Sequence, residues 1–229
     1  MILSLSQCEL KDYVAKQLDV YFPDQYRFRG SDIDRAFALA LERTEYCFKH
    51  ITLAPYTNNE EIYFSHLHSD QYSQFLYFLS NSLWNLSQNK GICDKLIFLN
   101  KQLNGMFYSY KCALPNIFLF GHPIGTIIGN AQYSDFLVVF QNVTINTDYD
   151  ERGNVAPRIG KGVFLGAGAK IIGNKPIGDR VSIGVDALVY NREIPKDSVV
   201  IKNEKGEISV NRRKKDKCMA QRYFNVEIK

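Results

Sequence analysis

Four side chains have ordinary protonation equilibria close to neutral pH: the imidazoles of His50, His66, His68 and His122. An imidazole can take a proton from an attacking hydroxyl and hand it to a departing group within one cycle, so each is a candidate general base. His66 and His68 stand two residues apart and would not share a helix face. His122 differs from the other three because it lies among short apolar units punctuated by glycine. Its alternative is a packed core histidine. The five cysteines, Cys8, Cys47, Cys93, Cys112 and Cys218, form no CxxC pair, and their odd number argues for reduced, structural thiols rather than a disulfide framework. No grouping of histidines and cysteines suggests a metal site, and none is expected.

Two kinds of element must position these residues. Leu5, Leu10, Val14 and Leu18 recur at helical spacing and predict a first helix ending at Tyr21-Phe22-Pro23. Gly30-Ser31-Asp32 predicts a second start with Ser31 as N-cap. Its apolar face would be Ile33, Phe37, Ala40, Leu41, Thr44, Cys47 and Phe48. Further helices are expected over about 69–86 and 92–107. The aromatic side chains Tyr72, Phe75, Tyr77, Phe78 and Trp84 read as core or subunit interface.

Past residue 110 the period changes to six. Ile159, Leu165, Ile171, Ile177, Ile183 and Val189 are evenly spaced, and Gly160, Gly166, Gly178 and Gly184 follow four of them. Six matches neither a helix nor a simple strand, whereas a fixed self-similar period marks a solenoid. Each hexapeptide would give one short strand and a turn, and three would close a triangular coil. The period continues upstream at Ile127, Tyr133, Val139 and Ile145. The step from Ile145 to Ile159 exceeds two hexads by two residues, so 146–157 is expected to project as a polar loop. The expected fold class is α+β, with a helical domain at 1–110, a left-handed parallel β-helix at 111–203 and a C-terminal tail at 204–229. The basic run Arg212-Arg213-Lys214-Lys215-Asp216-Lys217 reads as solvated, with phosphate binding as the sharper alternative.

The stretch from Leu114 to Val200 resembles serine acetyltransferases and their relatives among hexapeptide-repeat acyltransferases. The resemblance is carried by Gly121-His122-Pro123-Ile124-Gly125, by Gln141-Asn142-Val143-Thr144-Ile145, and by Gly166-Ala167-Gly168-Ala169-Lys170-Ile171-Ile172-Gly173-Asn174. It implies an acetyl-CoA-dependent O-acetyltransferase in which His122 is the catalytic base. It also implies a cofactor groove at Gly166, Ala167, Gly168, Ala169, Lys170 and Gly184, with Lys202, Lys175 and Arg180 as further phosphate contacts. A homotrimer is implied, with paired trimers as a further option and active sites between coils.

Two departures concern the acceptor. Ala156-Pro157-Arg158-Ile159 stands where serine acetyltransferases have His-Pro-Lys-Ile, and Cys112-Ala113-Leu114-Pro115 lacks the acid that orients their catalytic histidine. The loop residues Asp148, Asp150, Glu151 and Arg158 are therefore the candidates for holding the acceptor or orienting His122. The shortened form with Leu114-Pro115 and His122-Pro123-Ile124-Gly125 resembles serine-acetyltransferase-like proteins of bacterial surface-polysaccharide pathways, which implies a sugar hydroxyl as the expected acceptor. Serine is the alternative, and a non-catalytic binding module the second alternative. A zinc hydratase would need three coil histidines, and only His122 is present. The net charge of +4 is too dispersed for a nucleic-acid binder. No apolar run reaches the roughly 20 residues of a membrane span. Met1-Ile2-Leu3-Ser4 has no basic leader region, so a cytoplasmic protein is expected.

Overall fold

The computed structural model describes residues 1–229. Four helices come first: α1 (Gln7–Tyr21), α2 (Ser31–Phe48), α3 (Ser69–Ser87) and α4 (Lys90–Asn104). The start of α1 is fixed by a capping box, in which the Ser6 hydroxyl takes the Glu9 backbone N–H while the Glu9 carboxylate takes that of Ser6. The expected cap of α2 is corrected: Ser31 is already helical, and the cap is Gly30, whose φ of +118° suits only glycine. Helix α3 packs against α2 on one side and α4 on another, and it also touches the coil strand Phe118–Phe120. It is therefore buried nearly all round, and Tyr72, Phe75, Tyr77 and Phe78 lie in the core. Its polar side chains hydrogen-bond to the coil's backbone: Gln74 Nε2 donates to Phe118 O at 3.0 Å, Tyr77 Oη to Cys112 O at 3.0 Å and Asn81 Nδ2 to Tyr110 O at 2.9 Å.

The coil has three faces of parallel strands. Face A stacks Phe118–Phe120, Leu137–Val139, Phe164–Leu165, Ser182–Ile183 and Ser198–Lys202. Face B stacks Phe107–Tyr108, Ile127–Ile128, Thr144–Ile145, Lys170–Ile172 and Leu188–Tyr190. Face C pairs Gln132–Tyr133 with Arg158–Ile159 and continues through single bridges at Ile177 and Ile194. The six evenly spaced aliphatics fall on faces C, A, B, C, A and B in turn, and all are buried. Upstream, Tyr133, Val139 and Ile145 keep the expected register, but Ile127 does not. It is 48% exposed, and Ile128 fills the core instead. The coil also begins with Phe107, ahead of the boundary that composition suggested.

The segment 146–157 contains a hairpin that pairs Asp148–Tyr149 with Val155–Ala156. The C-terminal segment differs from a solvated tail. Ile208–Arg212 folds back antiparallel on Ser198–Lys202, and the chain then runs along face A towards the helices. Cys218, Ala220, Phe224 and Ile228 are buried there. Tyr223 O accepts from Thr52 N, and Asn225 N donates to His50 O, both at 3.0 Å. One hydrophobic core consequently runs through helices, coil and return segment. No helix is long and apolar enough to cross a membrane.

Candidate active site

His122 stands at the corner between faces A and B, where the chain departs from its period. Phe120 pairs with Val139 and Ile128 with Ile145, yet the step from Phe120 to Ile128 is eight residues and that from Val139 to Ile145 only six. The two additional residues bulge at His122-Pro123-Ile124-Gly125 and lift the imidazole off the stack. His122 has φ +49° and a side chain 78% exposed, which removes the packed-core alternative.

A buried carboxylate supports it from the helical half. Asp70 Oδ2 accepts the His122 backbone N–H at 3.0 Å and lies 3.5 Å from the imidazole Nδ1. Asp70 is in the first turn of α3, where the helix dipole favours negative charge. Its other oxygen takes the Ser69 hydroxyl at 3.2 Å. The side contact is longer than a well-made hydrogen bond, as acid–base pairs without substrate commonly are. With Nδ1 turned to the carboxylate, the favoured tautomer carries its proton there and leaves the Nε2 lone pair free.

Sequence reasoning missed Asp70. The acid was sought near Pro115 and in the projecting loop, and the structure places the loop at another corner, between faces B and C. Asp150 is occupied in shaping the hairpin, accepting from Arg152 N, Asn154 N and Asn154 Nδ2. Hydrogen bonds from Asn154 hold its pKa below the ordinary value. Asp148 takes the neighbouring Tyr149 N–H at 2.8 Å, and Glu151 is exposed. Arg158 lies on face C. Within one chain, none of these four reaches His122. The one available signal for Asp70 was its place in the first turn of a predicted helix.

The corners stacked beside His122 are formed by Gln141-Asn142, then Ala167-Gly168, then Val185-Asp186. They form a column from the histidine towards the C-terminal coils, about 4.8 Å per step. Glycine is required in it for the coil's own sake. A Cβ on Gly168, at φ +70°, would come within 2.0 Å of Asp186 Oδ1, and one on Gly166 within 3.2 Å of the next coil's backbone. Gly184 sits one step further along. Ala169 is fully buried, whereas the Lys170 ammonium caps Gly168 O at 3.0 Å from an exposed position. Lys202 is exposed at the end of the last face A strand. Arg180, expected as a phosphate contact, is instead paired with Asp197 at 2.6 Å. Lys175 lies in a pocket beside Asp150 and Glu151 of the hairpin.

No protein-family model matches the chain. A serine acetyltransferase of Synechococcus elongatus is 30% identical over 120 residues, which are 52% of this chain and 49% of that protein. The chain thus spans half or less of the length of the curated relatives it matches. Among solved structures, a serine acetyltransferase from Vibrio cholerae superimposes with TM-score 0.69 at 18% identity, covering 93% of this chain and 82% of that one. A serine acetyltransferase in complex with CoA gives TM-score 0.65 at 18% identity, covering 89% and 84%. These findings overturn the expected sugar acceptor and polysaccharide pathway, because the relatives carry the name serine acetyltransferase. Over about half of its length in sequence, and over nearly its whole length in fold, the chain is serine acetyltransferase-like.

Proposed function

We propose that the protein is an acetyl-CoA-dependent serine O-acetyltransferase with His122 as general base and Asp70 as its positioning carboxylate, built on a left-handed coil. The observation that carries the proposal is an exposed imidazole lifted out of the repeat and backed by a buried acid. Nε2 takes the serine hydroxyl proton as the oxygen attacks the thioester carbonyl. The tetrahedral intermediate collapses, the carbon–sulfur bond breaks, and the imidazolium returns the proton to the leaving thiolate. Such acid–base work contributes roughly 10²–10⁴-fold. Asp70 stabilises the imidazolium that forms between the two steps.

The corner column from Gly166 to Gly184, with Lys170 and Lys202 beside it, is the proposed path of the cosubstrate. A relative of the same fold was solved with CoA bound, which supports it. The assembly is proposed to be a homotrimer. Face B and its adjoining corner expose Ile124, Ile127, Leu188 and Tyr190, an apolar strip of the kind that marks an interface. In such a trimer a neighbour's hairpin, with Asp148, Asp150 and Glu151, and Arg158 of the adjoining face C strand can approach the site that is open in a single chain. The helical part supplies Asp70 to the coil.

The test is thiol release from acetyl-CoA with L-serine by wild-type and His122→Ala protein. Serine-dependent release, reduced roughly 10²-fold or more by the substitution, is expected. Release that the substitution leaves unchanged, or no release from wild-type protein, would reject the reading. The second result would favour a binding module.

A further inference from the structure

The largest cavity described in the molecule is not at His122. It lies over the C-terminal end of face A, beneath the return segment, with a volume of about 750 Å³. Five cationic side chains line it: Arg213, Lys214, Lys215, Lys217 and Arg222. That is one more than the net charge of the entire chain, and no acidic side chain lines the cavity. A concentration of one sign against low-dielectric walls focuses the field on whatever enters.

The wall behind this cluster is itself short of negative charge. Arg213 is 8% exposed and shares the single carboxylate of Asp197 with Arg180, so two guanidinium groups face one acid. Its Nη1 is spent on Asp216 O at 2.9 Å, and its Nε has no partner. Lys214, Lys215, Lys217 and Arg222 take part in no ion pair. A buried arginine left with surplus charge is costly unless an anion completes it. The floor is different in kind. Val199, Met219 and Phe224 supply apolar surface and the Ser182 strand closes one side. Cations lining the same cavity as apolar surface suit a phosphate carried on a flat ring.

From this we propose that the cavity under the return segment is a phosphate-monoester site that takes a nucleoside phosphate. The phosphate lies among Arg213 and the three lysines, and the base lies on the apolar floor. The proposal does not rest on the acetyl-transfer reading, because its test measures binding and needs no turnover.

The experiment is calorimetric titration of the full-length protein with adenosine 5′-monophosphate, adenosine and inorganic phosphate. The monophosphate is expected to bind, more weakly as salt rises, with phosphate weaker and adenosine undetectable. The variant Lys214→Ala/Lys215→Ala/Lys217→Ala is expected to bind about tenfold more weakly or worse. The matching triple change to arginine keeps the charge and is expected to keep the binding, which separates lost contacts from a lost fold. Competition then identifies the source of the phosphate. Displacement by CoA but not by dephospho-CoA assigns the site to the cosubstrate's own 3′-phosphate, and indifference to both makes it a separate nucleotide site. Either outcome retains a phosphate site. Equal binding of adenosine and its monophosphate, no binding of any probe, or undiminished binding by the alanine variant would overturn the proposal.

Discussion

Asp70 and His122 are separated by 52 residues and meet through a backbone hydrogen bond as well as a side-chain contact. That double contact shapes the prediction for each substitution. Asp70→Asn retains an acceptor for the His122 N–H but removes the charge and the preference for a proton on Nδ1, so kcat is expected to fall at least roughly tenfold with the melting temperature little changed. Asp70→Glu is expected to recover part of the rate, and its pH–rate profile should approach wild type more nearly than that of the asparagine variant. A purely structural role would instead appear as a lowered melting temperature with an unaltered profile. The thiols give a second prediction. Burial pushes Cys47, Cys93 and Cys112 up to about 12, so their thiolates are scarce at pH 8, whereas Cys8 is exposed. Iodoacetamide followed by peptide mapping should label Cys8 in the folded protein and the other three only after unfolding. His122 was legible because it stood inside the repeat. Asp70 was not, because its contact with His122 depends on how α3 docks against the coil, and no local spacing encodes that docking.

At the scale of elements, the hexapeptide period was readable because close coil stacking admits only small residues at fixed steps. Gly129 shows how close that stacking is: a Cβ there would lie 2.3 Å from the backbone carbon of Asn146, on atoms that cannot swing aside. Gly129→Ala is expected to cost about 3 kcal/mol or more. Gly153, at φ +78° in the hairpin turn, has nothing within 4 Å of its Cβ position. Gly153→Ala should therefore cost only the left-handed backbone penalty, about 1–2 kcal/mol. Urea denaturation of the two variants checks the difference, and equal losses would refute the stacking argument. The period misled where the bulge at His122 interrupts it. The chain takes eight residues from Phe120 to Ile128 and only five from there to Tyr133, so the core position falls at Ile128 instead of Ile127, and regular spacing offers no warning of such a bulge. The caps were not legible: the Ser6 and Glu9 box went unread although it follows the known pattern, and the expected Ser31 cap lost to a glycine whose backbone alone makes the turn.

For the molecule as a whole, the return segment is the piece least visible in sequence. Its composition is basic and reads as solvated, yet alternate small and apolar residues such as Cys218, Ala220 and Phe224 fit between face A and the end of α2. Phe224→Ala is expected to cost about 3–5 kcal/mol. Helix signal and Trp84 fluorescence should still be lost in one transition, because a single core joins the parts. Asp197 gives this region an acid-sensitive anchor. Burial raises its pKa, but hydrogen bonds and charge from Arg180 and Arg213 outweigh that and hold it below the ordinary 3.8. Its stabilisation is full above that value and is lost as pH falls through the lower folded value. The urea midpoint of wild-type protein should accordingly exceed that of Asp197→Asn at pH 7, and the gap should shrink below about pH 4. A ladder of parallel strands also has a hazard: each open end is a template for further chains. At one end the Phe118 carbonyl is taken by Gln74 and by the Cys47 thiol at 3.2 Å, and at the other Ile208–Arg212 runs in the wrong direction for another coil to follow. The same contacts that join helices to coil thus stop the ladder from growing into a fibre, so loss of the Gln74 amide should show first as concentration-dependent aggregation.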